Sequence, residues 1–74
     1  MRFVICMEIT SLGDFSTEDL TIGRLYEVID GADEHGMLRI IDDSGEDYIY
    51  PEKLFEKLVV PDNTAKRLHH ILTL

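Results

Sequence analysis

The chain has 74 residues, 45% of them hydrophobic, with fifteen Asp and Glu against seven Lys and Arg, one Cys and no Trp. That length allows one small domain, and such a domain buries only about 60% of the surface its unfolded chain exposes, which argues against a multi-step enzyme with a deep cofactor pocket. A single Cys excludes an internal disulfide and a paired-cysteine zinc site, and the apolar run from Phe3 to Met7 is too short for a membrane span or a signal peptide, so a cytoplasmic chain is expected.

The formal charge of −8 is uneven: residues 1–61 hold fourteen acids and five bases, while residues 62–74 hold Asp62 against Lys66 and Arg67. Nucleic-acid phosphates and anionic lipids are bound mainly by Lys and Arg, so direct binding to either is not expected. An acidic surface instead attracts basic partners, or simply keeps the chain in solution.

In chain order, Arg2–Ile9 reads RFVICMEI and predicts a first strand, with Phe3, Ile5 and Met7 on one face and Val4, Cys6 and Glu8 on the other. Thr10–Thr21 is dense in Ser, Thr, Gly and Asp, the composition of a long irregular loop; Ser16 and Asp19 have the spacing of a capping box within it. Strand character resumes over Arg24–Asp30, with Tyr26 and Val28 on one face. An acidic loop over Gly31–Gly36 follows, then a third strand over Met37–Asp42. The run Asp43-Ser44-Gly45-Glu46 predicts a tight hairpin turn in which Gly45 supplies positive φ.

Asp47–Tyr50 is a fourth strand ended by Pro51, which cannot donate to a ladder. Glu52–Phe55 fits one short helical turn, and Lys57–Val60 a last strand. Asp62 or Asn63 is a candidate N-cap for a helix through Leu74. Ala65, Leu68, Ile71 and Leu72 make one apolar stripe on it. A helix of that length is marginal alone, so it needs a packing partner, either its own sheet or a second copy.

Two segments carry a family resemblance. LTIGRLYEVID, Leu20–Asp30, resembles the end of the long first loop and the second strand of SH3 domains, with Gly23 at the turn. YIYPEKLFEKL, Tyr48–Leu58, resembles their closing segment of strand, proline, single 3₁₀ turn and final strand. The hairpin at Asp42–Asp47 would connect the third and fourth strands. The pattern, RIIDDSGEDYIYP above all, is similar to small uncharacterised SH3-like proteins of bacteria and their phages. The resemblance implies a mainly β fold: a small five-stranded SH3-like barrel over residues 1–61, with a C-terminal α-helix over residues 62–74 packed on the barrel or in a dimer.

The same resemblance does not carry proline-peptide binding. SH3 domains that bind such peptides line a groove with aromatic rings, because polyproline II helices dock between flat rings. Here the first strand and loop offer no tyrosine, the third strand opens with Met37 and Leu38, and Leu54 stands where the closing Pro-x-x-Tyr has its ring. The acids that border that groove in the family do have counterparts: Asp14, Glu18 and Asp19 in one loop, Asp30, Asp33 and Glu34 in the other.

No catalytic residues, cofactor or metal site are expected. The run Asp42–Asp47 lacks the alternating oxygen ligands of a calcium loop and reads as a solvated hairpin tip that discourages edge-to-edge association. His69 and His70 are adjacent, so they diverge by about 100° on a helix and are poorly placed to chelate one ion; they read as helix-surface histidines. Cys6, between Ile5 and Met7, reads as a packing residue rather than a nucleophile. Tyr48 and Tyr50 share one face of the fourth strand, core if it points inward and a binding patch if outward; the SH3 resemblance implies core positions for Tyr26 and Tyr50, and Tyr48 stays open.

The functional expectation is a non-enzymatic protein-interaction module, regulatory or accessory in a bacterium or phage, with an unidentified protein partner. Its binding residues would be Asp14, Glu18, Asp19, Asp33 and Glu34 in the loops, Tyr48 on the fourth strand, and Leu68, Ile71 and Leu72 on the helix. Pairing of that stripe between copies would make a homodimer. The alternative is an acidic inhibitor, a nucleic-acid mimic that fills the basic cleft of a nucleic-acid-binding protein.

Overall fold

The computed structural model describes residues 2–9, 18–31 and 35–73. Five antiparallel strands and one C-terminal helix make a mainly β protein: β1 (Arg2–Cys6), β2 (Leu25–Asp30), β3 (Met37–Ile41), β4 (Asp47–Pro51), a 3₁₀ turn (Glu52–Leu54), β5 (Phe55–Leu58) and α1 (Asp62–Leu72). The sheet order is β4-β3-β2-β1-β5. β4 and β5 are its edges and are not hydrogen-bonded to each other, so the ladder is open. The Ser16–Asp19 capping box falls partly outside the described residues.

Period-2 alternation sorts the strands into two faces. Val4 pairs with Tyr26, Val28 with Ile40, and Leu38 with Tyr50 across the ladders. These residues share the inner face, where Val4, Cys6, Tyr26, Leu38, Ile40, Tyr50 and Phe55 form the core with Leu20 of the long loop and Leu54 of the 3₁₀ turn. The sheet curls enough for its edges to meet there: the Tyr50 and Phe55 rings lie 6.4 Å apart, edge to face.

The outer face has a smaller buried site. Phe3 pairs with Glu27 on one side and Leu58 on the other, and both Phe3 and Glu27 are buried. α1 lies against β2 here, with Ala65 buried and His69, one turn on, bonded to Glu27. A helix that would be marginal in isolation is held by this contact.

Several boundaries differ from the sequence expectation. β1 stops at Cys6 rather than Ile9: Met7 N–H still bonds in register to the Leu54 carbonyl at 2.8 Å, but Leu54 belongs to the 3₁₀ turn, and Glu8 N–H approaches the same carbonyl at 3.4 Å instead of a next ladder partner. β5 begins at Phe55 rather than Lys57, since Phe55 pairs with Cys6 and is buried, while Val59 is 94% exposed beyond the strand. Pro51 belongs to β4. Asp42 N–H bonds to the Glu46 carbonyl, and Glu52 N–H to the Gly36 carbonyl. That phase puts Tyr48 and Tyr50 in the hydrogen-bonded pairs with β3, so the missing N–H of Pro51 points away from the sheet.

Pro61, not Asp62 or Asn63, occupies the helix N-cap, without a capping side chain. A proline preceding the first turn needs no N–H there. The hairpin is as expected: a turn closed by Gly45 N–H to the Asp42 carbonyl at 3.0 Å, with Gly45 at φ 84°. Gly23 likewise has φ 84°, a conformation any other residue adopts at a penalty.

Candidate functional site

The apolar stripe of the helix is divided by its docking. Ala65 and His69 face the sheet and Leu68 is half-buried, but Ile71 is 56% and Leu72 42% exposed. Thr73 closes the helix, its backbone N–H bonding to the carbonyl of His69 and its hydroxyl to those of His69 and His70. The last turn is therefore ordered by its own backbone, while two adjacent large apolar side chains on it remain in water.

A second exposed apolar region lies on β4. Tyr48 has the same parity as Tyr50, yet it is 51% exposed while Tyr50 is buried. Beside it Ile49 is 43% exposed, and Ile29, an exposed residue of β2, lines a shallow cleft with Ile41 and Tyr48. Sequence reading passed over Ile29 and Ile49; strict period-2 counting assigns a face but not whether anything covers it.

Of the acidic residues proposed for partner binding, Glu18 is exposed and Asp19 half-buried, its backbone carbonyl accepting Asp43 N–H at 2.9 Å. Asp14, Asp33 and Glu34 lie outside the described residues. The structure thus places Glu18 and Asp19 beside the β3–β4 hairpin. Ile71 and Leu72 belong to α1 on the other side of the sheet.

The hairpin itself corrects one expectation. Its acids are not merely a solvated tip, for Asp42 is buried and accepts from the Tyr50 hydroxyl at 2.7 Å and from Ser44 N–H at 3.0 Å. The Asp43 carboxylate accepts from the Thr21 hydroxyl at 2.7 Å, the Tyr26 hydroxyl at 2.8 Å and Arg24 at 3.1 Å. Two core tyrosines thereby end on two adjacent aspartates, which tie the long loop to the hairpin. A signal existed in the sequence: a core tyrosine needs an acceptor at the rim, and Asp42 has the same parity as Leu38, the ladder partner of Tyr50, so it ends the same face.

The electrostatics follow from these bonds. Burial alone would raise the Asp43 carboxyl, but hydrogen bonds from Thr21, Tyr26 and Arg24 outweigh it and hold Asp43 below the ordinary carboxylate value. Burial above all pushes the Tyr26 phenol up to about 12; the bond from Thr21 N–H opposes it, and the Asp43 carboxylate adds to the rise. Burial first, then Asp42, raises Tyr50 as well. Burial raises the Cys6 thiol, and Cys6 is fully enclosed, which is the environment of a packing thiol rather than a nucleophile.

His69 and His70 do not share a role. His69 Nδ1 lies 2.5 Å from Glu27 Oε1, whereas His70 is exposed. Among the described residues no three His, Cys, Asp or Glu side chains converge as a metal site, and no helix is long and apolar enough to cross a membrane. Comparison with protein-family models, with curated proteins and with solved structures finds no match to this chain.

Proposed function

We propose that the chain is an SH3-like barrel that serves as a non-enzymatic protein-interaction module, regulatory or accessory in a bacterium or phage, whose partner docks on the last turn of α1. The observation that carries this reading is the pair Ile71 and Leu72, large apolar side chains left in water on a helix anchored elsewhere by Ala65 and His69. About half of each side chain is still exposed, so covering the remainder contributes about 1 kcal/mol per side chain, a modest anchor for a small interface. The barrel reading is supported by the strand order, by the 3₁₀ turn between β4 and β5, and by the Tyr50–Phe55 contact across the open edges.

The test is capture of partners by the full chain, compared with Ile71→Asp and Leu72→Asp, at low and high salt. An apolar dock on α1 gives a partner that survives high salt and is lost with either variant. Retention of the partner by both variants contradicts the reading.

A second reading has its own observation. The described ion pairs use Asp43, Asp47 and Glu27, which leaves the exposed carboxylates of Glu18, Glu46, Glu56 and Asp62 without an ion-pair partner among the described residues. An acidic mimic would use such charges to fill a basic cleft. Its partner would be lost at high salt and displaced by DNA or RNA.

A further inference from the structure

We infer that a second copy of this chain pairs with the β4 edge, strand β4 against strand β4, antiparallel about a two-fold axis through Ile49. The two edges of the sheet differ in a way that selects β4. β5 exposes Glu56 and Lys57, the charged side chains by which edge strands usually resist pairing. β4 exposes Asp47, Tyr48 and Ile49, of which only Asp47 is charged, and carries neither Lys nor a bulge.

The backbone phase supplies the register. Tyr48 and Tyr50 spend their N–H and C=O groups on β3, so Asp47, Ile49 and Pro51 direct theirs outward. With Ile49 on the axis, each Ile49 N–H donates to the Ile49 carbonyl of the second copy. Asp47 then lies opposite Pro51 of the second copy, and its N–H meets that carbonyl. Pro51 lacks only a donor, so it forfeits one bond at each end and blocks none of the others. Rotation about this axis keeps both inner faces on the same side, as a continuous sheet requires.

The side chains agree with that register. Ile49 of each copy meets its own counterpart on the outer face, next to Ile41, and Tyr48 comes opposite Tyr50 of the second copy, in a closely spaced non-hydrogen-bonded pair. The exposed surface of Tyr48 and Ile49 is thereby covered.

Charge favours this edge over the rest of the surface. Two copies of a chain of charge −8 repel each other. Asp47, the one acid within β4, is already paired with Arg39 at 3.0 Å, so the edge is locally neutral. Glu46 and Glu52 flank it, and the 3₁₀ turn carries the chain out of line at Glu52. Residual repulsion makes the association stronger as salt rises, the opposite of an ion-paired interface. The contact is independent of Ile71 and Leu72, so it does not rest on the functional reading above.

Sedimentation equilibrium of the full chain, from micromolar to millimolar and at low and high salt, tests it. The expected result is a shift from 8.5 kDa towards twice that mass, larger at high salt. Ile49→Lys places like charges face to face on the axis, and Ile49→Pro removes only an N–H that β3 does not use. Each weakens association by about tenfold or more. Val59→Lys, next to the opposite edge, leaves it unchanged, and circular dichroism verifies that each variant is folded. A monomer at every concentration and salt overturns the inference. So does a dimer that persists in folded Ile49→Lys and Ile49→Pro, or one dissolved by Ile71→Asp instead.

Discussion

Glu27 on β2 and His69 on α1, distant in sequence, meet at 2.5 Å on the outer face of the sheet, where the Glu27 side chain is only 10% exposed and that of His69 45%. The glutamate is the costly member of this pair. Buried beside Phe3, it has His69 as its side-chain partner among the described residues. His69→Ala is expected to destabilise the fold by about 1–3 kcal/mol, the penalty of leaving a buried polar group unpaired. Adding Glu27→Leu should recover part of that loss, because an apolar residue there needs no partner. Urea unfolding of the two variants gives both numbers, and equal stability of His69→Ala and the parent would show that the helix contact is idle.

The two core tyrosines should respond differently to loss of their hydroxyls. Tyr50→Phe leaves the buried Asp42 with Ser44 as its remaining side-chain and backbone donor, and should cost about 1–3 kcal/mol. Tyr26→Phe leaves Asp43 with Thr21 and Arg24 in a more open position, and should cost about 0.5–1.5 kcal/mol. The ranking of the two denaturation midpoints is the check.

Acid and alkali should each unfold the chain through identifiable groups. Asp43 has a folded pKa below its ordinary 3.8, so the unfolded chain binds its proton more readily. Its contribution is present above that value and is lost as pH falls through the lower folded pKa. Asp43→Asn should therefore flatten the acid limb of a stability–pH curve. Tyr26, raised to about 12, contributes stability that is complete below the ordinary phenol value of about 10 and disappears as pH rises through its folded pKa. Tyrosinate absorbance followed against circular dichroism should show Tyr26 ionising together with unfolding rather than before it.

Leu54 is fully buried although it sits in a single 3₁₀ turn. It joins β4 to β5 and contacts the core between them, so Leu54→Ala should cost about 2–5 kcal/mol. Lys53→Ala, one residue earlier and exposed, should change stability by less than about 0.5 kcal/mol. Thermal melts of both distinguish a core anchor from a mere connection.

What could be read in the sequence was local. Gly45 announces the hairpin, Pro51 the end of β4, and the spacing of Ala65, Leu68, Ile71 and Leu72 the helix, and each of those elements is present. Cys6 is assigned to the core by its apolar strand neighbours, Tyr26 and Tyr50 by the SH3 resemblance, and all three are buried. What escaped was set by contacts between distant segments. Phe55 enters β5 because Cys6 is its ladder partner, and α1 turns His69 inward because Glu27 waits on β2. Asp43 reads as one more acid in an exposed run until Thr21, Arg24 and Tyr26 converge on it. The residues proposed to bind a partner were only half legible for the same reason: periodicity finds Ile71 and Leu72, but only docking of the helix shows that they, rather than Ala65, remain in water.

Amide hydrogen exchange of the chain alone and with its captured partner tests the proposed function most directly. The account predicts added protection in the second half of α1, around Leu68–Leu72, that persists at high salt. Protection confined to the Glu18–Thr21 loop and the Asp42–Asp47 hairpin, disappearing as salt rises, would contradict it and assign the partner to the acidic face.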